Sequence, residues 1–485
     1  MMKSVMMVQN DIIKRVAFLL LGIILLTDLN AKTIKVITTT SDKPWITQQF
    51  TDKKNAENLS EDIIVYPDSL MQKIDGFGGA FNELGWDALQ VLPLEKQKEV
   101  MQSLFSPSGV NFSMGRVPVG ASDYALSYYS YCDVKEDFTM HDFNISRDRY
   151  ILIPYIKEAL NWHPDLKIWA SPWTPPAWMK INEHYTQRGG NMNSRTGGND
   201  MEVRKNIMGN VTGFNMQVGY LKAYALYFSK YIQSYQAEGI TIWALMPQNE
   251  IAWSPNWPCC TWRPEDLAYF VGNYLGPQFK ADGIKTEIWL GTINYPDPDY
   301  VRTFLKNKEA SAYIKGLGFQ WTGSHSLPAI YKEFPGFNYM QTENMCGEGE
   351  NSWKSLENSW NSMVHYFHNG ARSYQYWNMV LDETGKSSWG WAQNSLIVID
   401  RKTKEIHYTP EFYLMKHFSH FIQPGAYLIR TSITTDALAF LTADHKVVVI
   451  CYNPDGSDKQ LRLKINGSEV KCSLAPNSLS SIIIN

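Results

Sequence analysis

The sequence predicts an α/β protein, a (β/α)8 TIM barrel with a side β-sandwich built from both ends of the chain. Between residues 71 and 424, short apolar stretches alternate with longer helical patterns, the order that gives parallel strands joined by crossover helices. The flanking residues 32–70 and 425–485 carry extended patterns with no helical period. Two stretches of one assembly, divided by the barrel, explain both flanks.

Eight strands are expected in the barrel: Gly76–Ala80, Asn111–Gly120, Leu166–Trp173, Thr241–Glu250, Thr286–Asn294, Gly316–Gly323, Asn338–Met345 and Arg372–Val380. The helical patterns Tyr220–Gly239, Pro264–Gly283 and Ser352–Gly370 each end on a glycine, which suits the left-handed residue just past a helix end. In such a barrel the active site lies at the C-terminal ends of the strands. In the C-terminal flank, Lys446–Asn453 and Gln460–Ile465 enclose Pro454-Asp455-Gly456-Ser457, which reads as a hairpin with its turn.

The N-terminus has the order of an export signal: Lys14 and Arg15, an apolar run from Val16 to Leu26, then Leu29-Asn30-Ala31. Residues 1–31 are therefore expected to be removed, leaving a secreted or periplasmic protein. The apolar run is too short to span a membrane, which takes about 20 residues, so no stable membrane anchor is expected. Six cysteines remain, of which Cys451 and Cys472, on two consecutive expected strands, form the best candidate disulfide.

A net charge of -3 without a basic stripe excludes nucleic acid as a natural partner and favours an uncharged one. The chain holds 17 Trp and 27 Tyr. Most such rings belong to a core of this size, but some lie beside polar residues in expected loops, where flat faces can stack on sugar rings. No metal or cofactor is expected. The pairs His365/His368 and His417/His420 have a ligand-like spacing, but they fall on outer helices without a third ligand. Gly76-Phe-Gly-Gly79 lacks the spacing and the following Lys of a phosphate loop. Nothing in the sequence fixes an oligomeric state.

Cleaving a glycosidic bond takes an acid for the leaving oxygen and, in retaining enzymes, a second carboxylate about 5–5.5 Å away that attacks the anomeric carbon. Glu250 ends the fourth expected strand and Glu343 the seventh, with Asn249 beside the first. These strands face each other across a barrel mouth, so the two carboxylates can flank one bond. Either glutamate alone would pass for a solvated strand end.

The segments Lys73-Ile-Asp-Gly-Phe-Gly-Gly-Ala80, Gly115-Arg-Val-Pro118, Ala170-Ser-Pro-Trp-Thr-Pro-Pro-Ala-Trp178, Gln248-Asn-Glu250, Thr342-Glu343 and Tyr376-Trp-Asn378 together resemble glycoside hydrolase family 30, the glucosylceramidase-like family. The resemblance runs in order along nearly the whole chain after residue 31. It implies hydrolysis with retention, with Glu250 as acid/base and Glu343 as nucleophile. It further implies that Asp123, Trp173, Asn249, Trp321, Trp377 and Asn394 bind the sugar, and that Arg116 supports the nucleophile. Two positions depart from the family pattern: Gln320 precedes Trp321 where a His is common, and Ile251 follows Glu250 in place of Pro.

The expected function is thus a retaining β-glycosidase acting on β-glucosides or a related sugar. An endo-β-1,6-glucanase or a β-xylosidase is the alternative within the same chemistry. A non-catalytic sugar-binding barrel is the alternative of another class, disfavoured by the presence of both carboxylates and Asn249.

Overall fold

The computed structural model describes residues 34–50, 61–191 and 197–484. The expected export signal, residues 1–31, lies outside them. Three strands come first: β1 (Ile34–Thr39), β2 (Ile46–Phe50) and β3 (Glu61–Lys73). Eight strands then form one parallel sheet: β4 (Gly76–Ala80), β5 (Met114–Pro118), β6 (Lys167–Ser171), β7 (Ile242–Leu245), β8 (Glu287–Ile293), β9 (Ile314–Gln320), β10 (Asn338–Glu343) and β11 (Ser373–Asn378). They run in sequence order, β11 pairs with β4, and a bridge from Tyr339 to Ala371 joins β10 to the start of β11. The sheet is therefore a closed barrel.

Every expected barrel strand is found in place, most of them shorter than read. The fourth stops at Leu245 rather than Glu250, and the reason is local. Pro247 has no N–H for the ladder, and Glu250 takes a left-handed φ of +49°. The helices Val218–Ala237 and Trp353–His368 end as expected, with Gly239 at φ +82° and Gly370 at φ +84° just beyond them. Inside the barrel, Met114, Trp169, Ala244, Met246, Trp289 and Met340 form a small core of their own. Gly316 is required there, because a Cβ would lie 2.4 Å from the Trp289 ring.

After a small sheet of β12 (Val380–Asp382), β13 (Ile397–Ile399) and β14 (Ile406–Tyr408), the helix Pro410–Ser419 leads to the C-terminal strands. These are β15 (Tyr427–Thr431), β16 (Ala437–Leu441), β17 (Val447–Asn453), β18 (Lys459–Ile465), β19 (Ser468–Leu474) and β20 (Ser478–Ile484). With the first three they make a nine-stranded sheet in the order β19-β18-β3-β15-β16-β17-β20-β1-β2. Both ends of the chain thus build the side domain.

The hairpin expected between β17 and β18 does not form. β17 pairs with β16 and β20, whereas β18 pairs with β19 and β3. All seven residues of β17 are buried, so it needs cover on both faces and belongs in the middle of the sheet. Val447, Val449 and Cys451 enter the sandwich core, and Val448, Ile450 and Tyr452 pack toward the barrel. Nor do Cys451 and Cys472 pair: no disulfide joins them, and they sit on β17 and β19, five places apart in the sheet.

The histidines of the outer helices face separate protein groups. His365 and His368 reach the carbonyls of Ser324 and Thr434, and His420 that of Gly109. His417 is a rivet between domains, its ring nitrogens 2.7 Å from Ser481 Oγ on β20 and 2.9 Å from Thr39 Oγ1 on β1. Burial pulls its pKa from 6.5 down to about 3, so the ring is neutral in the folded protein. The unfolded chain binds a proton that the native one does not, so this ring's contribution is full above pH 6.5 and declines as pH falls toward 3. His417→Gln should therefore flatten the loss of melting temperature across that interval in calorimetry. An unchanged acid slope would remove His417 from the account.

Candidate active site

Arg116, the third residue of β5, points into the barrel and is fully buried. Its Nη1 donates to Glu343 Oε2 at 2.6 Å, and its Nη2 donates to Asn249 Oδ1 at 2.7 Å and to Ser171 Oγ at 2.9 Å. The guanidinium also lies 4.8, 4.4 and 5.3 Å from the ring centres of Trp169, Trp173 and Trp377. Burial lowers its pKa and the Glu343 charge opposes that; a guanidinium stays protonated in either case.

Glu343 closes β10, where its carboxylate is gripped from three sides. Besides Arg116, Trp321 Nε1 donates to Oε1 at 3.0 Å, and Gln320 Nε2 donates to Oε2 at 3.3 Å. Trp321 follows directly on β9 with φ +48°. That backbone conformation costs a bulky residue about 1–2 kcal/mol. Here it swings the indole N–H back onto Glu343.

Glu250 lies beyond β7 on a braced loop. Thr292 Oγ1 accepts from the Glu250 N–H at 3.0 Å and donates to Asn249 Oδ1 at 3.0 Å, while the Asn249 N–H donates to Pro172 O at 2.7 Å. Asn249 Oδ1 also accepts from Arg116 and from Gln320 Nε2. The oxygen end of this amide is thus fixed, and its N–H2 end is the one left for a ligand. Burial first, then the charges of Glu343 and Asp123, push the Glu250 carboxyl well above its usual pKa.

Asp123 stands in the loop after β5, almost wholly buried, and burial together with the Glu343 charge raises it to about 8. Its Oδ1 and the indole Nε1 of Trp377 are buried without a protein partner. Such orphaned groups are costly unless a ligand satisfies them. Trp173 and Trp377 stack at 4.9 Å beside them. The structure therefore gathers Arg116, Asp123, Trp173, Asn249, Trp321, Glu343 and Trp377 at one barrel mouth, with Glu250 within reach of their charges.

Asn394 does not join them. It is fully buried, its Nδ2 donates to Glu411 Oε2 at 3.1 Å, and its Oδ1 accepts from the N–H groups of Gly349 and Asn351. Its amide pins the loop that follows β10, so the expected sugar contact is corrected to a bracing role. Ser171, Thr292 and Gln320 are the site residues that sequence reasoning did not assign. Each is a last or near-last residue of a barrel strand, a signal that could have marked them.

Three carboxyl groups, Asp123, Glu250 and Glu343, share one buried guanidinium, and the Arg116–Glu343 pair is the contact on which the others rest. Arg116→Leu leaves a buried carboxylate unpaired and should reduce the unfolding free energy by about 3–5 kcal/mol. Adding Glu343→Leu should restore part of that loss. Denaturant titration of both variants checks it, and a single-variant loss below about 1 kcal/mol would mean that the pair is not energetically buried.

The Glycosyl hydrolase family 30 TIM-barrel domain matches residues 74–422, and the Glycosyl hydrolase family 30 beta sandwich domain matches residues 425–482. The lysosomal acid glucosylceramidase of Mus musculus is 26% identical over 430 residues, 83% of this chain and 79% of that protein. The endo-1,6-beta-D-glucanase neg1 of Aspergillus fumigatus is 26% identical over 426 residues, 84% and 83% of the two chains. Among solved structures, an endo-beta1,6-glucanase superposes with a TM-score of 0.77 at 26% identity, covering 93% of this chain and 99% of the other. The chain belongs to glycosyl hydrolase family 30 and is a glycoside hydrolase made of that family's TIM-barrel and β-sandwich domains.

Proposed function

We propose that this chain is an exported retaining β-glycosidase that hydrolyses β-linked glucosides by double displacement, with Glu343 as nucleophile and Glu250 as acid/base. The observation that carries this reading is the asymmetry of the two glutamates. Glu343 is ion-paired with a guanidinium 2.6 Å away, whereas the Glu250 carboxyl has its pKa pushed up by burial and by the charges of Glu343 and Asp123. Of two neighbouring carboxyls, the one whose pKa is raised suits the acid and the ion-paired one the nucleophile. The glucosylceramidases and endo-1,6-glucanases among the relatives support a glucosyl unit as the glycone. The signal-like order of residues 1–31 supports export.

In the first step a Glu343 oxygen forms a bond to the anomeric carbon as the glycosidic C–O bond breaks, and the Glu250 proton passes to the leaving oxygen. Asp123 Oδ1, Trp377 Nε1 and the Asn249 N–H2 group are the polar atoms available to the sugar hydroxyls. In the second step Glu250 takes a proton from water, the water oxygen attacks the same carbon, and Glu343 leaves as a carboxylate. Two inversions give net retention.

Glu250→Ala should lower kcat on unactivated glucosides by about 10²–10⁴-fold and spare formation of the glycosyl-enzyme from substrates with acidic leaving groups. Azide should then restore its turnover and give the β-glucosyl azide. Glu343→Gly should be inert until azide enters from the opposite face and gives the α-azide. Exchanged products would reverse the two roles, and activity in both variants without azide would refute the mechanism.

A further inference from the structure

Asp123 Oδ1 is buried without a protein partner, so the placing of this carboxyl falls to the backbone of residues 119–126, the segment that follows β5. Both flanks of that segment are tied down. On the near side the Gly120 N–H donates to Tyr131 Oη at 3.1 Å, and the Ala121 N–H donates to Tyr129 O at 3.1 Å. On the far side the Leu126 N–H donates to Glu83 Oε2 at 2.7 Å. Glu83 is held in turn by Arg147, whose Nε and Nη2 donate to its two oxygens at 2.7 and 2.6 Å.

The near-side tie leads to the next residue, Asp148, on the short helix Ser146–Tyr150. Asp148 is fully buried, and three phenols donate to its carboxyl: Tyr129 at 3.0 Å, Tyr131 at 2.6 Å and Tyr235 at 2.5 Å. Tyr235 belongs to the helix Val218–Ala237, whose Tyr227 and Tyr231 rings stack on Tyr131 at 5.7 and 5.5 Å. The Tyr131 hydroxyl is thus a relay, accepting from Gly120 and donating to Asp148. A carboxyl buried against neutral donors costs more than an apolar side chain of its size would. What it adds is one fixed point for hydroxyls from two elements.

We propose that Asp148 is a positioning residue for Asp123: through Tyr129 and Tyr131 it fixes the near flank of segment 119–126, and so sets where the Asp123 carboxyl meets the sugar. The proposal rests on the reading of Asp123 as a sugar contact. Asp148 acts only through the two tyrosines, while the Arg147–Glu83 pair keeps the far flank in place. Asp148→Asn keeps the shape but turns one accepting oxygen into an N–H2 donor, so at least one phenol loses its acceptor. Tyr131→Phe removes the relay and leaves the Gly120 N–H unanswered. A substrate-holding group misplaced by about 1 Å can cost about 10²-fold in rate.

The test is a double-mutant cycle on 4-nitrophenyl β-glucoside with Asp148→Asn, Asp123→Asn and the pair, at a temperature where circular dichroism shows each variant folded. A second cycle puts Tyr131→Phe in place of Asp148→Asn and carries the test if the latter does not fold. Each outer variant should lower kcat/KM about tenfold in the wild-type background. Once residue 123 is Asn, the same change should cost less than about twofold, because the contact it positions is already gone. Hydrogen exchange at Gly120 and Ala121 should quicken in both outer variants and stay unchanged in β8. Equal losses in the two backgrounds would make Asp148 a general stabiliser and overturn the inference, as would unchanged exchange at Gly120 and Ala121. Full activity of Asp123→Asn would remove the sugar contact and the inference with it. If the wild type hydrolyses no β-glucoside, the glucosidase reading fails by itself, and the exchange at Gly120 and Ala121 still decides whether Asp148 holds the segment.

Discussion

The site depends on a single buried cation. Arg116 is fully removed from solvent, and its donors reach side-chain oxygens at three strand ends: Glu343 on β10, Asn249 after β7 and Ser171 on β6. Tryptophans from β6, the loop after it, and β11 surround it. One guanidinium therefore ties together strands from all round the barrel. A lysine could supply the charge but not the planar fork that reaches Glu343 and Asn249 together. The fork also explains why Glu343 and Asn249, distant in sequence, are held to a common frame.

The state of the other carboxyls follows from that charge. One cation faces Glu343, Glu250 and Asp123, and it can neutralise only one of them. Glu343 sits 2.6 Å away and takes it. The other two are desolvated beside a carboxylate, so Asp123 is raised to about 8 and Glu250 well above the ordinary range. A carboxyl with a raised pKa next to an ion-paired one is the arrangement on which the proposed acid and nucleophile roles rest. The site achieves it through the number of its charges, with the left-handed turns at Glu250 and Trp321 supplying the aim.

The side domain is joined to the barrel by the same two-residue period that builds its sheet. On β16 and β17, alternate residues fill the sandwich core and the barrel-facing core, as in Leu438 and Phe440 against Ala437 and Ala439. His417 adds a polar contact between the last barrel helix, β1 and β20. The two domains thus share a largely apolar interface, which gives the barrel a fixed backing.

The sequence by itself determined the architecture and pointed to Glu250 and Glu343. Eight apolar stretches separated by helical patterns, three of them stopped by a glycine, leave little choice but a closed parallel sheet, and a charged residue at the end of such a stretch falls at its mouth. Arg116, Asp123, Trp173, Trp321 and Trp377 were legible only because their surrounding motifs resemble a family. The sequence did not hold what depends on who stands across a gap. β17 and β18 look like a hairpin, yet full burial of β17 sends it between β16 and β20. Asn394 has the chemistry of a sugar ligand, yet its amide is taken by Glu411 and a loop. Ser171, Thr292 and Gln320 have ordinary polar side chains, and only the tertiary structure brings them to Arg116, Asn249 and Glu343. Periodicity is a property of neighbours along the chain and survives in the sequence; hydrogen-bond partners, burial and pKa belong to neighbours in space, which folding alone selects.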